Sequence, residues 1–325
     1  MPIDPGRIFA SIPALLCHRP TDYAITVLLR NHHPTGLLPG PIRRPEPEDI
    51  TAITGNIARA RADAIALFIV DDRAEETGRA QHHRDLAAIF AHEIPSPAAP
   101  FAGAWVAQEI APGALWWSSD PAPDVGTIAD PYAIPAAQVA AARGIDITRT
   151  LAEVQAEYAP IFDPIRTERL CMDLAVAHFG AEVADSGKPR ADQLTDHVAE
   201  FWATLAQFDP HNPDALSSRA RARVAVRLAD PAVVAKLAAL TDETPGLGEF
   251  ARELARTTPG TYRIHALQLA AAVAYLAGDT LTAIVATDAA LTDRPGDPWA
   301  QEMHRQIIRA ASRREFVARL WDRAR

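Results

Sequence analysis

Lysine and cysteine are nearly absent from this chain. Its two lysines are Lys188 and Lys236, so arginine carries almost all of the positive charge. Its two cysteines, Cys17 and Cys171, are far apart in the sequence and lack the spacing of a metal knuckle or a redox pair. We therefore expect both to be reduced core residues of a cytoplasmic protein.

Several motifs and segments are missing as well. No stretch reaches the roughly 18 uninterrupted apolar residues of a membrane span, and the amino terminus lacks the pattern of a signal peptide. There is no glycine-rich phosphate loop and no Gly-x-Ser-x-Gly elbow. The net charge of -9 disfavours binding to a nucleic-acid backbone. We expect a protein that binds no cofactor of these types and stays out of the membrane.

What remains is the composition of a large folded protein. The chain has 325 residues, of which 48% are hydrophobic, and this is enough for a sizeable core in two domains. Residues 1–150 alternate short β-type runs with helical patterns, which predicts an α/β or α+β domain with a mixed sheet. Residues 151–325 show helical patterns separated by glycine and proline, which predicts an all-helical bundle or short solenoid.

The first two β-type runs are the clearest strands of the amino-terminal domain. The runs 23–29 and 64–70 are apolar, as in buried strands, and a helical pattern over 48–62 lies between them. A Pro-rich segment, 39–47, is predicted to be a turn. If the two strands follow the βαβ pattern, they are parallel neighbours in the sheet.

The remaining β-type runs follow a break at Pro95, Pro97 and Pro100. The runs 101–108 and 114–118 flank a Pro-Gly turn and predict an antiparallel hairpin. The segment 120–131 is rich in Asp, Pro and Gly, and we expect a loop at the edge of the sheet.

One helix pair, at 264–297, resembles a single tetratricopeptide repeat. Small residues recur at the spacing of a close helix crossing, around a turn at Gly278-Asp279 in which glycine permits the tight bend and aspartate caps the next helix. Such a pair presents a peptide-binding groove or simply packs within the domain. The candidate groove residues are Leu267, Ala274 and Leu281.

A second resemblance spans most of the chain, through a series of short motifs: Ile12-Pro13-Ala14-Leu15-Leu16, Arg19-Pro20-Thr21-Asp22, Trp116-Trp117, Gly126 to Pro131, Val139 to Gly144, Ala277-Gly278-Asp279 and Ala290-Leu291. These motifs resemble a bacterial family known as domain of unknown function 4192. Cys17-His18 stands where that family tends to have Gly-Phe. The resemblance implies the fold and an accessory role in bacteria, and it implies no activity.

Polar residues follow both predicted strands of the possible parallel pair. His32 and His33 come after the first strand, and Asp71 and Asp72 end the second. Ligands of open α/β sheets bind at the carboxyl ends of the strands, so these four residues are candidates for a divalent-metal site or for acid–base chemistry. The alternative is a solvated rim of ordinary loop residues.

These patterns favour a protein-binding function over a catalytic or ligand-sensing one. We expect an accessory protein without catalytic activity that binds a protein partner through its carboxy-terminal helices. The alternative is a metal-dependent enzyme or a small-ligand sensor that uses the strand-end rim. The sequence leaves the partner and the oligomeric state open.

Overall fold

The structure is a computed structural model that describes residues 3–94, 99–121, 123–161, 163–241, 244, 246–309 and 312–324. Pro95 and Pro97, two of the three residues at the predicted break, lie outside these ranges. By its internal contacts the chain divides into two compact units, Met1–Leu151 and Ala152–Arg325. We call them the sheet unit and the helical unit.

The sheet unit consists of six strands and four helices within the described ranges. In chain order they are α1 (Pro5–Leu16), β1 (Tyr23–Arg30), β2 (His33–Pro41), α2 (Pro47–Ala60), β3 (Ala64–Val70), α3 (Arg79–Glu93), β4 (Phe101–Ala107), β5 (Leu115–Ser118), β6 (Val125–Thr127) and α4 (Pro135–Ala142). The strand order is β2-β1-β3-β4-β5-β6. β3 and β4 run parallel and the other neighbouring pairs run antiparallel, so the predicted mixed sheet is confirmed.

The expectation that the first two predicted strands are parallel neighbours is wrong. A further strand, β2, follows β1 directly in a hairpin, and β1 pairs with β3 in antiparallel orientation. The two residues of the hairpin turn, Asn31 and His32, have φ angles of 51° and 66°, as a type I′ turn requires. β2 was missed because it contains three prolines, which an edge strand tolerates because one side of it needs no hydrogen-bond donors.

The alternating side chains of the central strands form two cores, one on each face of the sheet. On one face, Phe9 of α1 meets Phe68 of β3 edge to face, with ring centroids 4.8 Å apart. On the other face, Ile53 of α2 and Leu86 of α3 pack with Leu67 of β3. Helices on both faces therefore cover the apolar strands that the sequence predicted.

The predicted hairpin of 101–118 is confirmed by β4 and β5, and the segment expected to be a loop contains the short edge strand β6. Gly126 of β6 lies beneath the indole ring of Trp116. A Cβ atom at Gly126 would stand 2.5 Å from that ring, far inside van der Waals contact. A glycine at position 126 therefore lets the chain approach the Trp116 ring closely.

The helical unit contains ten α-helices in the ranges described. They are α5 (Leu151–Ala156), α6 (Pro164–Asp185), α7 (Arg190–Leu205), α8 (Ser218–Arg227), α9 (Pro231–Ala239), α10 (Leu247–Thr257), α11 (Gly260–Ala277), α12 (Thr280–Asp293), α13 (Pro298–Ile308) and α14 (Arg313–Ala324), with a 3-10 turn at Pro213–Ala215. The predicted all-helical architecture is confirmed. Among the described residues, no helix is both long enough and apolar enough to cross a membrane.

The pair α11–α12 has the turn that the sequence predicted. Gly278 ends α11 at a φ of 91°, where residues other than glycine are strained, and the Asp279 carboxylate accepts a hydrogen bond from the Thr282 amide at 3.0 Å. Ala283 and Ala290 are fully buried. The local geometry of a close helix crossing is therefore present, while a repeat array remains a prediction.

Candidate functional site

The structure does not bring the four candidate rim residues together. Because β1 and β3 are antiparallel, the carboxyl end of β1 lies beside the amino end of β3, where Leu29 pairs with Ala64. His32 and His33 are exposed at that end, in the β1–β2 hairpin. Asp71 and Asp72 follow the opposite end of β3. A metal site made from all four residues was predicted from parallel strands, and the observed topology contradicts that arrangement.

Asp71 forms a buried ionic cluster at the carboxyl end of β3. Its Oδ2 atom accepts hydrogen bonds from the Arg79 guanidinium, with Nε at 2.8 Å, and from His83 Nε2 at 2.8 Å. Its Oδ1 atom accepts the Arg73 amide at 3.1 Å. Asp71 and His83 are both almost completely buried. This cluster therefore joins the start of α3 to the end of β3.

The pKa shifts agree with an ionised aspartate and a neutral histidine. Burial acts to raise the pKa of Asp71, but the hydrogen bonds from His83, the Arg73 amide and Arg79 outweigh it and leave the pKa below its ordinary value. Burial lowers the pKa of His83 and outweighs the opposing hydrogen bond to Asp71. The neutral ring then donates Nε2–H to the carboxylate. Both carboxylate oxygens of Asp71 are therefore occupied by hydrogen bonds within the protein.

Asp22, which the antiparallel pairing brings to the same end of the sheet, was not among the predicted rim residues. Asp22, Asp71 and Asp72 each offer a carboxylate oxygen within 4.8 Å of the other two. Partial burial raises the pKa of Asp22, and the charge and hydrogen bond of Asp72 raise it further. Since both oxygens of Asp71 already accept hydrogen bonds and the other two aspartates are exposed, we assign no metal site to this cluster.

The predicted partner-binding residues lie in the core of the helical unit. Leu267 is 0% exposed, and Ala274 and Leu281 are each 9% exposed. They are covered because α11 is buried around most of its circumference, with apolar side chains in contact with the neighbouring helices. The structure therefore contradicts an open groove at these three positions.

An exposed apolar surface occurs instead on α6. Five of the twelve large apolar side chains that are mostly exposed in the described ranges belong to this one helix. They are Ile165, Met172, Val176, Phe179 and Val183, which are between 60% and 81% exposed. We call these five residues the α6 stripe. Large contiguous apolar patches on a protein surface mark interaction sites, so the α6 stripe is the candidate functional site.

The opposite face of α6 packs within its own unit. Leu170 and Leu174 are buried against Ala222 and Ala225 of α8. One side of the helix is thus fixed by the fold, while the stripe faces solvent. A helix whose two sides are both apolar is typical of a helix enclosed by neighbours on both sides.

The sequence carried a partial signal for this surface. It predicted a helix at about 163–184, and the apolar residues of that segment are too numerous for a single core-facing side. Nothing in the pattern indicates which of the two sides the rest of the chain covers, because exposure depends on the packing of α8. The stripe could therefore be located only in the structure.

The chain belongs to the family described as Domain of unknown function (DUF4192), whose model matches residues 5–312, nearly the whole length. No curated protein and no solved structure shows a significant match to it. The resemblance inferred from the short motifs is therefore confirmed. Family membership brings no activity, so the candidate site rests on the geometry of α6.

Proposed function

We propose that this chain is a non-catalytic accessory protein that works as a homodimer, with the α6 stripe as its partner surface. The observation that carries the proposal is the exposure of five large apolar side chains along one face of one helix. Left in water, such a face is unfavourable by roughly 25 cal/mol for each Å² of apolar surface. Pairing with an equivalent helix removes it from water.

The spacing of the stripe fits a second copy of the same helix. From Met172 to Val183 the intervals are four, three and four residues, and Ile165 lies one heptad before Met172. This is the spacing of the seam of a two-stranded coiled coil. In an antiparallel pair that is symmetric about the level of Leu174, Ile165 lies opposite Val183 and Met172 lies opposite Val176. Each apolar residue of the stripe except Phe179 then meets another.

Phe179 would face Arg169 of the second copy in this arrangement, where the guanidinium can stack on the aromatic ring.

The size of the surface predicts a modest affinity. The stripe covers about 27 Å of helix, at a rise of about 1.5 Å per residue. A single helix pair of this length is smaller than the standard interface of about 800 Å² per partner. We therefore expect a dissociation constant on the order of micromolar, and a dimer that forms in a concentration-dependent way.

Sedimentation equilibrium of the full chain, from about 1 to 200 μM to bracket that dissociation constant, tests the proposal. Phe179→Glu replaces an exposed ring by a charge in both copies and should raise the dissociation constant by about 100-fold or more. Ile308→Glu is the matched control, because Ile308 is a comparably exposed apolar residue at the end of α13. It should dimerise like the unmodified chain.

Circular dichroism and thermal unfolding of both variants exclude a folding defect as the cause. A protein that remains monomeric throughout the concentration range would contradict the proposal. So would a dimer that Phe179→Glu and Ile308→Glu weaken equally. If the protein is monomeric, the alternative occupant of the α6 stripe is a helix of a different protein.

A further inference from the structure

A cavity of about 560 Å³ lies in the helical unit, beside the amino-terminal turns of α6 and α8 and the carboxyl end of α10. A second cavity of about 490 Å³ adjoins it and shares Thr167, Arg256 and Thr257 with it. Volumes of several hundred Å³ are those of sites for small organic molecules. The charges that line the larger cavity indicate what kind of molecule it fits.

The acidic groups of the larger cavity are already paired with arginine. Glu253 Oε1 accepts a hydrogen bond from Arg221 Nη1 at 2.9 Å, and both side chains are nearly buried. Asp214 Oδ1 accepts from Arg166 Nη1 at 2.7 Å, and Asp163 Oδ2 lies 3.3 Å from Arg166 Nε. All three carboxylates thus have an arginine partner, and together with these two arginines they carry a net charge of -1.

Arg256 lines both cavities and has no such partner. Its Nε atom is buried and makes no hydrogen bond to the described part of the chain, and its guanidinium takes part in no ion pair there. Arg169, at the edge of the larger cavity, also forms no ion pair with the described residues. A buried N–H group without an acceptor costs about 1 to 3 kcal/mol. An acceptor that enters the cavity from solution removes this cost.

The other lining groups suit a polar organic molecule with an apolar part. The Thr167 and Ser217 hydroxyls line the cavity, as do the side chains of Leu170 and Leu216. The Thr257 hydroxyl donates to the Glu253 carbonyl oxygen at 2.7 Å and keeps its acceptor capacity. A ligand would therefore meet a positive charge, hydroxyl-bearing residues and apolar side chains in one open cavity.

We propose that this cavity binds a small organic anion whose carboxylate or phosphate group pairs with Arg256. Arginine recognises both groups with two parallel N–H···O bonds. Arg256 and Arg169 bring the net charge of the lining residues to +1, which favours anions over cations. None of the five residues of the α6 stripe lines the cavity, so the contact with Arg256 does not require the dimer. Arg169 is shared, because it lines the cavity and would also face Phe179 of the second copy. The full chain would then combine an assembly surface with a ligand site.

Isothermal titration calorimetry tests the site with inorganic phosphate and with citrate, at constant ionic strength set by chloride. We expect saturable binding of at least one of the two, with a dissociation constant on the order of a millimolar or below. The two titrations distinguish a preference for phosphate from a preference for carboxylate. Arg256→Ala should weaken the binding at least tenfold, while Arg309→Ala, an exposed arginine outside the cavity, should not change it.

Thermal unfolding without added anion shows whether Arg256→Ala folds, and we expect it to be at least as stable as the unmodified chain. If it does not fold, Arg169→Ala in the Phe179→Glu background serves as the second variant, and it should bind more weakly than Phe179→Glu alone. The absence of saturable binding of both anions, or equal binding by the cavity and control variants, would overturn the proposal. Repeating the titration with Phe179→Glu separates the site from dimer formation, because binding should persist in the monomer.

Discussion

The sheet unit and the helical unit differ in how far their apolar side chains are covered and their buried polar groups are hydrogen-bonded. In the sheet unit, the buried carboxylate of Asp71 has three hydrogen-bonding partners, and the apolar strands are covered by helices on both faces. In the helical unit, α6 presents five large apolar side chains to solvent, and Arg256 has a buried N–H group without an acceptor. The sheet unit leaves the buried Nδ1 atom of His83 without a hydrogen-bond partner among the described residues, but no comparable run of large apolar side chains is exposed along any one of its described helices. The helical unit leaves both an exposed apolar face and a buried donor to be satisfied from outside.

This difference supports our proposal that binding takes place on the helical unit. Exposed apolar patches and unpaired buried polar groups cost free energy, and a folded protein that keeps them has a reason in binding.

The largest difference in the free energy of unfolding is expected between a variant in the core of the helical unit and a variant in the α6 stripe. Leu267→Glu places a charge at a position that is 0% exposed and should lower the free energy of unfolding by about 5 kcal/mol or more, enough to unfold the unit. Phe179→Glu, at a position 69% exposed, should change it by at most about 0.5 kcal/mol. Urea denaturation of both variants measures this. Equal losses would mean that α6 is part of the core.

The next largest loss of stability is expected when the ionic cluster of the sheet unit is broken. Asp71→Ala leaves Arg79 and His83 without their shared acceptor and should cost about 3 to 5 kcal/mol, as for other buried pairs that lose one partner. Asp72→Ala is the matched control. Asp72 is exposed and neighbours a second carboxylate, so its loss should change the free energy of unfolding by less than about 0.5 kcal/mol. A small effect at Asp71 would show that the sheet unit does not depend on this contact.

A smaller effect is expected where β6 meets β5. Gly126→Ala forces a methyl group into the ring of Trp116 and should destabilise the sheet unit by about 1 to 3 kcal/mol. Gly55→Ala, in the middle of α2 with open space around it, should stabilise the unit by about 0.5 to 1 kcal/mol. Thermal unfolding should show a lower melting temperature for Gly126→Ala and a higher one for Gly55→Ala. Stabilisation by Gly126→Ala would contradict the close contact.

The smallest effect is a dependence of stability on pH. The folded-state pKa of His83 lies below its ordinary value of 6.5, so the unfolded chain takes up a proton first as the pH falls. Stability should therefore be full above about pH 6.5 and decline below it, and the depressed pKa of Asp71 extends the loss below its ordinary value of 3.8. His83→Gln keeps a donor for Asp71 and should flatten the decline between about pH 7 and 5.

His265 in the helical unit also has a pKa lowered by burial, so part of the decline should remain in His83→Gln. Urea denaturation at several pH values measures the slope, with His32→Gln in the exposed hairpin turn as the control. A slope that His83→Gln and His32→Gln change equally would contradict a neutral, buried His83.

The sequence predicted most of the elements and the antiparallel hairpin of 101–118, but not how the first two predicted strands pair. The strands at 23–29 and 64–70 follow from runs of β-branched and apolar residues. Their relative orientation does not, because it depends on β2, whose prolines are atypical of a strand. That one missed strand placed His32 and His33 at the wrong end of the sheet.

Both candidate sites of the helical unit depend on contacts between distant parts of the chain. The α6 stripe is visible as a functional surface only once α8 is seen to cover the other side of the helix. The unpaired state of Arg256 is visible only once Arg221 and Arg166 are seen to occupy the nearby carboxylates. A periodic pattern reports that a face is apolar, but it does not report what covers that face.

Cross-linking between two copies of α6 tests whether the chain forms an antiparallel dimer through this helix. Ile165→Cys and Val183→Cys are each made with Cys171→Ser, which leaves the buried Cys17 as the only other thiol. With a short bismaleimide reagent, the account predicts cross-linked dimers when the two variants are mixed, because residues 165 and 183 lie opposite each other. It predicts few when either variant is treated alone. Cross-linking of each variant alone would indicate a parallel pair, and none in any mixture would contradict α6 as the interface.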